Sequence, residues 1–165
     1  MGRPAARVTD PVSHPAPPVL TPGPGSMNVL IGSLPAWRGV GGGAAAAIQS
    51  AKATSDDAIA TAEAATVAAA GTPGLPAAEA TEQTTKATAA ASMGAMISAA
   101  AGAADIHVCT TPLPVPPHGP GVVVDGSQTV LVNSLPLCRQ GDTVVEAVGP
   151  PNKIAMGLQT VLVGG

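Results

Sequence analysis

Apolar positions along this chain fall into short runs rather than long stripes. Asn28-Val29-Leu30-Ile31 and Thr129-Val130-Leu131-Val132 are β-branched runs of strand length, bounded by Gly, Ser and Pro. The segments that contain them align without gaps, from Gly25 to Arg38 (GSMNVLIGSLPAWR) and from Gly126 to Arg139 (GSQTVLVNSLPLCR). A third copy, GLQTVLVGG, starts at Gly157 and reaches the end of the sequence. Each run meets a second turn, Gly32-Ser33, Asn133-Ser134 or Gly164-Gly165. In the first two copies that turn leads into a Pro-x-x-Arg element, Pro35-Ala36-Trp37-Arg38 and Pro136-Leu137-Cys138-Arg139, and Pro4-Ala5-Ala6-Arg7 is a further version. The pattern predicts β-hairpins around a pseudo-threefold axis, because hairpins this small bury a core only by packing together.

Residues 41–104 have a different character. They are rich in Ala and Thr, with a break at Gly71-Thr72-Pro73-Gly74-Leu75-Pro76. Alanine is the best helix former, so two helices are predicted, over about 44–70 and 76–103. Ser55-Asp56-Asp57 and Ala77-Ala78-Glu79 put acidic groups early in these stretches, where the helix dipole favours them. Met93, Met96 and Ile97 form the expected contact stripe. The stretch 87–104 is uncharged and long enough to raise the question of a membrane span. Its Ala, Ser and Gly are only weakly apolar, and Lys52, Asp56, Asp57 and Glu63 in the first helix argue against a spanning hairpin. The expected architecture is mainly β: a cone of short hairpins formed by 1–40 and 105–165, with 41–104 as an inserted helical hairpin.

Composition narrows the picture. The chain has 165 residues, no Phe, no Tyr and a single Trp, with 20 Gly and 18 Pro. Its core must be thin and built from Val, Leu, Ile and Ala. Charged residues make up 10% and the net charge is -3, so there is no basic footprint for nucleic acid. The opening residues, with Arg3, Pro4 and Arg7, do not read as a secretory signal. Cys109 and Cys138 are too few for a disulfide scaffold. Cytosolic synthesis is expected, with a thiol free for metal.

A second offset recurs. Asp10 is followed four residues later by His14, Asp105 by Cys109 and Asp142 by Glu146. One slot in three repeats thus holds His, Cys and Glu, all metal-binding types, and threefold packing brings the slots together. His118 lies in the loop after Cys109. His14, His107, Cys109 and His118 make a three-His, one-Cys set suited to tetrahedral zinc; His107 and Cys109, two apart, share a strand face. The alternative keeps His14, Cys109 and His118 and takes Glu146 as the fourth ligand. A small aromatic-poor domain often needs such a staple. Four protein ligands would make the zinc structural, whereas a zinc hydrolase needs an open coordination position. Neither His-Glu-x-x-His nor Gly-x-Ser-x-Gly occurs, so no enzyme is expected. Cys138 reads as a small buried residue. Trp37, in the matching place, reads as core filling, with an interface anchor as the alternative. Arg7, Arg38 and Arg139 are expected to hydrogen-bond turn carbonyls.

The stretch Pro4-Ala5-Ala6-Arg7-Val8-Thr9-Asp10…His14, the Gly-Ser-x-x-Val-Leu-Val strands and Pro-x-x-Arg-x-Gly-Asp at residues 136–142 resemble the PAAR-repeat family. These are the tip proteins of type VI secretion systems and related contractile injection machines. Residues 148–157 also look like one variant of that family, and residues 5–14 fit its prePAAR pattern. The resemblance covers about 3–40 and 105–165. It implies a conical tip whose base sits on a trimeric β-helical spike similar to VgrG. Zn2+, held near the apex by three His and one Cys, would pin the cone. A structural tip of this kind leaves the bacterial cytoplasm as part of the injection device and briefly meets the target membrane. Residues 41–104 would then dock effector cargo or a baseplate component; the rival reading is a small secreted effector whose helical insertion acts on membranes. The chain departs from the family pattern at Trp37 and Cys138, and where Arg38 leads into Gly39-Val40-Gly41 instead of Gly-Asp.

Overall fold

The computed structural model describes residues 2–14, 18–109 and 118–164. In chain order the elements are β1 (Arg3–Ala5), β2 (Leu30–Ile31), β3 (Leu34–Pro35), α1 (Gly42–Ala69), α2 (Leu75–Ala101), β4 (His107–Cys109), β5 (Gly119–Val123), β6 (Leu131–Val132), β7 (Leu135–Pro136), β8 (Thr143–Glu146), β9 (Asn152–Lys153) and β10 (Leu158–Val163). All strand pairs are antiparallel. The content is mixed α/β rather than mainly β. The helices hold 28 and 27 residues, whereas no strand among the described residues exceeds six. The difference has a simple cause: the Ala-rich insertion is helical almost end to end, and the turns of the repeats leave room only for very short strands.

Two of the predicted hairpins form as single units. β2 pairs with β3 around Gly32-Ser33, and β6 with β7 around Asn133-Ser134. Both central residues of each turn have positive φ, at 56° and 69° in the first and 53° and 65° in the second. That is the type I′ geometry whose twist matches the flanking strands. The third hairpin is divided between the two ends of the chain. β10 pairs with β1, with Leu162 opposite Pro4. In the other two, Leu30 faces Pro35 and Leu131 faces Pro136.

Backbone hydrogen bonds tie the three Pro-x-x-Arg elements into a closed ring. The Ala6 N–H donates to the Cys138 carbonyl at 2.8 Å, Cys138 to Trp37 at 3.0 Å and Trp37 to Ala6 at 3.0 Å. A second ring runs the other way: Val8 donates to Pro35, Gly39 to Pro136 and Gln140 to Pro4. Equivalent residues make equivalent bonds in all three copies, so the hydrogen bonding is threefold. Ala6, Trp37 and Cys138 are fully buried in one small cluster with Val12, Leu20, Val123, Val144 and Ile154. Trp37 is therefore a core residue. Burial pushes the Cys138 thiol well above its ordinary pKa, reinforced by the nearby Asp142, Asp105 and Asp125 carboxylates, so it stays protonated and inert.

The insertion is an antiparallel helical pair. Its less exposed positions follow a three-four rhythm, including 48, 52, 55, 59, 62, 66 and 69 in α1 and 75, 78, 82, 85, 89, 93 and 97 in α2. Up to residue 89 this is the heptad spacing of a coiled seam; half of these positions are Ala, Thr or Ser, and Ile48, Ile59, Leu75, Met93 and Ile97 supply the larger apolar side chains. Lys86 bridges the seam to Glu63 at 2.7 Å and also meets Glu82 at 2.6 Å. Asp56 and Asp57 lie mid-helix rather than in a first turn, because α1 already starts at Gly42; Asp56 pairs with Lys52 instead of the helix dipole. At the base of the pair, Ile48, Met93 and Ile97 are buried against Val122 and Val145 of the four-stranded sheet β4-β5-β8-β9 and Val124 just after β5, with Met96 half-buried beside them. No residue of 53–92 is fully buried. Among the described residues, no helix is long and apolar enough to cross a membrane.

Candidate metal centre

The centre is built on three equivalent arginine–aspartate clamps. Arg7 holds Asp10 through Nε at 3.2 Å and Nη2 at 2.8 Å, and its backbone N–H donates to the same carboxylate. Arg139 grips Asp142 through the same three groups. Arg38 grips Asp105 in the same way, at 2.8 to 3.0 Å. In the first and third copies the partners are three residues apart; in the second they are 67 apart, because the helical insertion lies between them. Charge-assisted, two-pronged contacts of this kind are the stronger class of hydrogen bond. They raise the guanidinium pKa of Arg7 and Arg38 above the ordinary value, through the hydrogen bonds to Asp10 and Asp105. Burial pushes the Asp142 carboxyl up, while Arg139 pulls it back. The arginines also reach turn carbonyls, as the sequence suggested: Arg38 donates to Gly25 and Arg139 to Asp125.

Each clamped aspartate starts a short extended segment, and four residues later a potential ligand faces the same point. His14 follows Asp10, Cys109 closes β4, and Glu146 closes β8. His118, just before β5, completes the group. One donor atom from each of these four lies within 4.8 Å of the others. His14 Nε2 is 2.8 Å from His118 Nδ1 and 3.7 Å from Cys109 Sγ, and His118 Nδ1 is 2.6 Å from Glu146 Oε2. His107 stands just outside this group: its Nε2 is 3.3 Å from Glu146 Oε1. Cys109, His118, Glu146 and His107 are buried, and His14 is half-buried.

The donor chemistry fits a divalent cation. His118 Nδ1 faces both an imidazole nitrogen and a carboxylate oxygen, and one proton satisfies only one of these close contacts. Two neutral imidazoles, a thiolate and a carboxylate carry two negative charges, so a divalent ion leaves a neutral centre and avoids an uncompensated buried charge. Desolvation lowers the His14 pKa from its ordinary value, and the neighbouring His118 and His107 lower it further against the pull of Glu146. Its neutral, metal-binding form is thereby favoured.

Five residues that take part had no role assigned from the sequence: the three clamp aspartates, Asn152 and Gly149. The aspartates of the clamps were noted only as markers four residues before a ligand, although Arg-x-x-Asp itself recurs at residues 7–10 and 139–142. Asn152 donates to Glu146 Oε2 at 2.9 Å, and no periodic signal marks it. Gly149, with φ 88°, lets the backbone pass His118; a Cβ there would lie 2.9 Å from Nε2.

Residues 113–165 match the family model described as PAAR motif. The chain thus carries a PAAR motif, and the resemblance to PAAR-repeat proteins read from its sequence is borne out there. The matched segment contains His118, Glu146 and the Arg139–Asp142 clamp. No curated protein and no solved structure matches the chain.

Proposed function

We propose that this chain is a structural, non-catalytic tip that caps the trimeric, VgrG-like spike of a contractile injection system such as a type VI secretion system. One observation carries the reading. Leu30, Leu131 and Leu162 occupy the same register in the three hairpins, each opposite the proline of a Pro-x-x-Arg element. Their exposures are 61%, 57% and 63%. Single exposed leucines are ordinary, but three at equivalent positions around a threefold hydrogen-bond ring suit a partner with threefold symmetry. One tip would then seat on one trimer. In this reading the three copies form a cone, and the metal centre pins its other end as the device breaches a target envelope.

The ion is Zn2+, held by His14, Cys109, His118 and Glu146; nitrogen and sulfur donors with one oxygen are the set zinc accepts, and four closed ligands serve structure. The chain is made in the bacterial cytoplasm and exported with the device, meeting the target membrane only in passing. The helical pair is a docking place for cargo or a baseplate component. Co-purification with a trimeric VgrG-type spike tests the proposal, alongside elemental analysis. One chain per trimer and one zinc per chain are expected. The triple variant Leu30→Glu, Leu131→Glu, Leu162→Glu should keep its zinc and lose the spike. Undiminished spike binding by that variant would overturn the assignment of the face.

A further inference from the structure

We infer that His107 is the positioning residue of the metal centre: it donates from Nε2 to Oε1 of Glu146 and aims Oε2 at the other three donors. The inference rests on the metal reading above. Three neighbouring strands place the two residues in one row, for His107 of β4 pairs with Gly121 of β5, and Gly121 pairs with Glu146 of β8. Residues paired across a sheet point to the same face. The middle member has no side chain, so His107 and Glu146 reach toward one another above it and come to 3.3 Å.

Gly121 is not interchangeable here. A Cβ at that position would lie 2.8 Å from Glu146 Cγ and 3.2 Å from Val144 Cγ1. Both facing atoms need a partner. Among the described residues His107 Nε2 and Glu146 Oε1 are buried without a hydrogen bond, close in distance but not yet aligned. The other oxygen is already directed, since Asn152 donates to Oε2, the atom that faces His118. A carboxylate fixed by Asn152 on one oxygen and His107 on the other keeps one orientation. Outer hydrogen bonds of this sort orient metal ligands and tune their affinity.

The test uses the full chain loaded with Co2+, whose absorption reports ligand type and geometry, with affinity measured by chelator competition. His107→Leu should still bind one Co2+ per chain and keep the thiolate-to-cobalt band. Its affinity should fall about 10- to 100-fold and its ligand-field bands should shift. His107→Gln, whose side-chain amide also donates, should restore both. Gly121→Ala, with His107 intact, should reproduce the weakening by displacing Glu146, and circular dichroism checks that each variant is folded. Unchanged affinity and spectrum in folded His107→Leu would overturn the inference while leaving the centre intact. Equal losses in His107→Leu and His107→Gln, with Glu146→Gln like wild type, would show that His107 is itself the ligand, and would overturn it too. Wild type that takes up neither Co2+ nor Zn2+ would remove the metal reading altogether.

Discussion

Asp105→Ala isolates the contact on which the insertion closes. The Asp105 carboxylate is fully buried and receives four N–H groups: Arg38 N, Nε and Nη2, and the Gly25 N–H. The Arg38 side chain is only 10% exposed. Removal of the carboxylate leaves that guanidinium buried with the Gly25 carbonyl as its remaining acceptor among the described residues. Breaking a buried pair by deleting one partner costs about 3–5 kcal/mol. For a chain of this length that lowers Tm by about 6–20 °C. Asp10→Ala is the internal control, because it removes the same two-pronged contact where Arg7 is 18% exposed and regains water. There the loss should be about 1–3 kcal/mol. Urea unfolding followed by circular dichroism reads both variants on one scale. A cost under about 1 kcal/mol for Asp105→Ala, or an equal cost for the two variants, would refute the argument that burial sets the strength of these clamps.

Deletion of residues 41–104, with Val40 joined to Asp105, restores the three-residue spacing of the other clamps. The shortened chain should fold and retain one zinc by elemental analysis, although newly exposed Val122, Val124 and Val145 should make it more prone to associate; loss of the metal site would show that the insertion supports it. Acid should destabilise the metal-free protein. The folded-state pKa of His14 is lowered, so the folded chain binds fewer protons than the unfolded one; the stability this provides is full above the ordinary imidazole value of about 6.5 and is lost as pH falls below it. Thermal unfolding between about pH 7.5 and 5.5 should give a falling Tm, and a flat or rising one would contradict the assignment of His14 to a desolvated site.

Local pattern made much of this molecule legible. Turn residues and β-branched runs located the β2-β3 and β6-β7 hairpins, and alanine content with the Gly-Pro break located both helices to within about two residues. The slot four residues after each aspartate pointed to His14, Cys109 and Glu146, which meet. Pairings distant in sequence were harder to see. The third hairpin needs β1 and β10 from opposite ends, and the second clamp needs Arg38 and an aspartate 67 residues away. The preference of zinc for nitrogen favoured His107 over Glu146 as fourth ligand. In the structure a donor atom of Glu146 falls within the cluster, whereas His107, in the same row through Gly121, reaches Glu146 from beside it.

The point of insertion follows from the turn it replaces. In the first and third copies the aspartate N–H donates back to the arginine carbonyl across four residues, and the residue before the aspartate has positive φ: Thr9 at 73° and Gly141 at 85°. Glycine accepts that conformation readily; a β-branched threonine does not. In the second copy the same bond, Asp105 N–H to Arg38 carbonyl at 3.0 Å, closes over the whole helical pair. Were residues 39–104 a flexible loop, closing it instead of a three-residue turn would cost about 3 kcal/mol more. An antiparallel helical pair avoids most of that cost, because its own seam returns its two ends to one place. Ile48 and Ile97 then fasten the base of the pair to Val122 and Val145. The tight turn, with its demanding φ, is thus a part of the repeat that an insertion can replace while leaving in place both the clamp and the candidate ligand four residues beyond it.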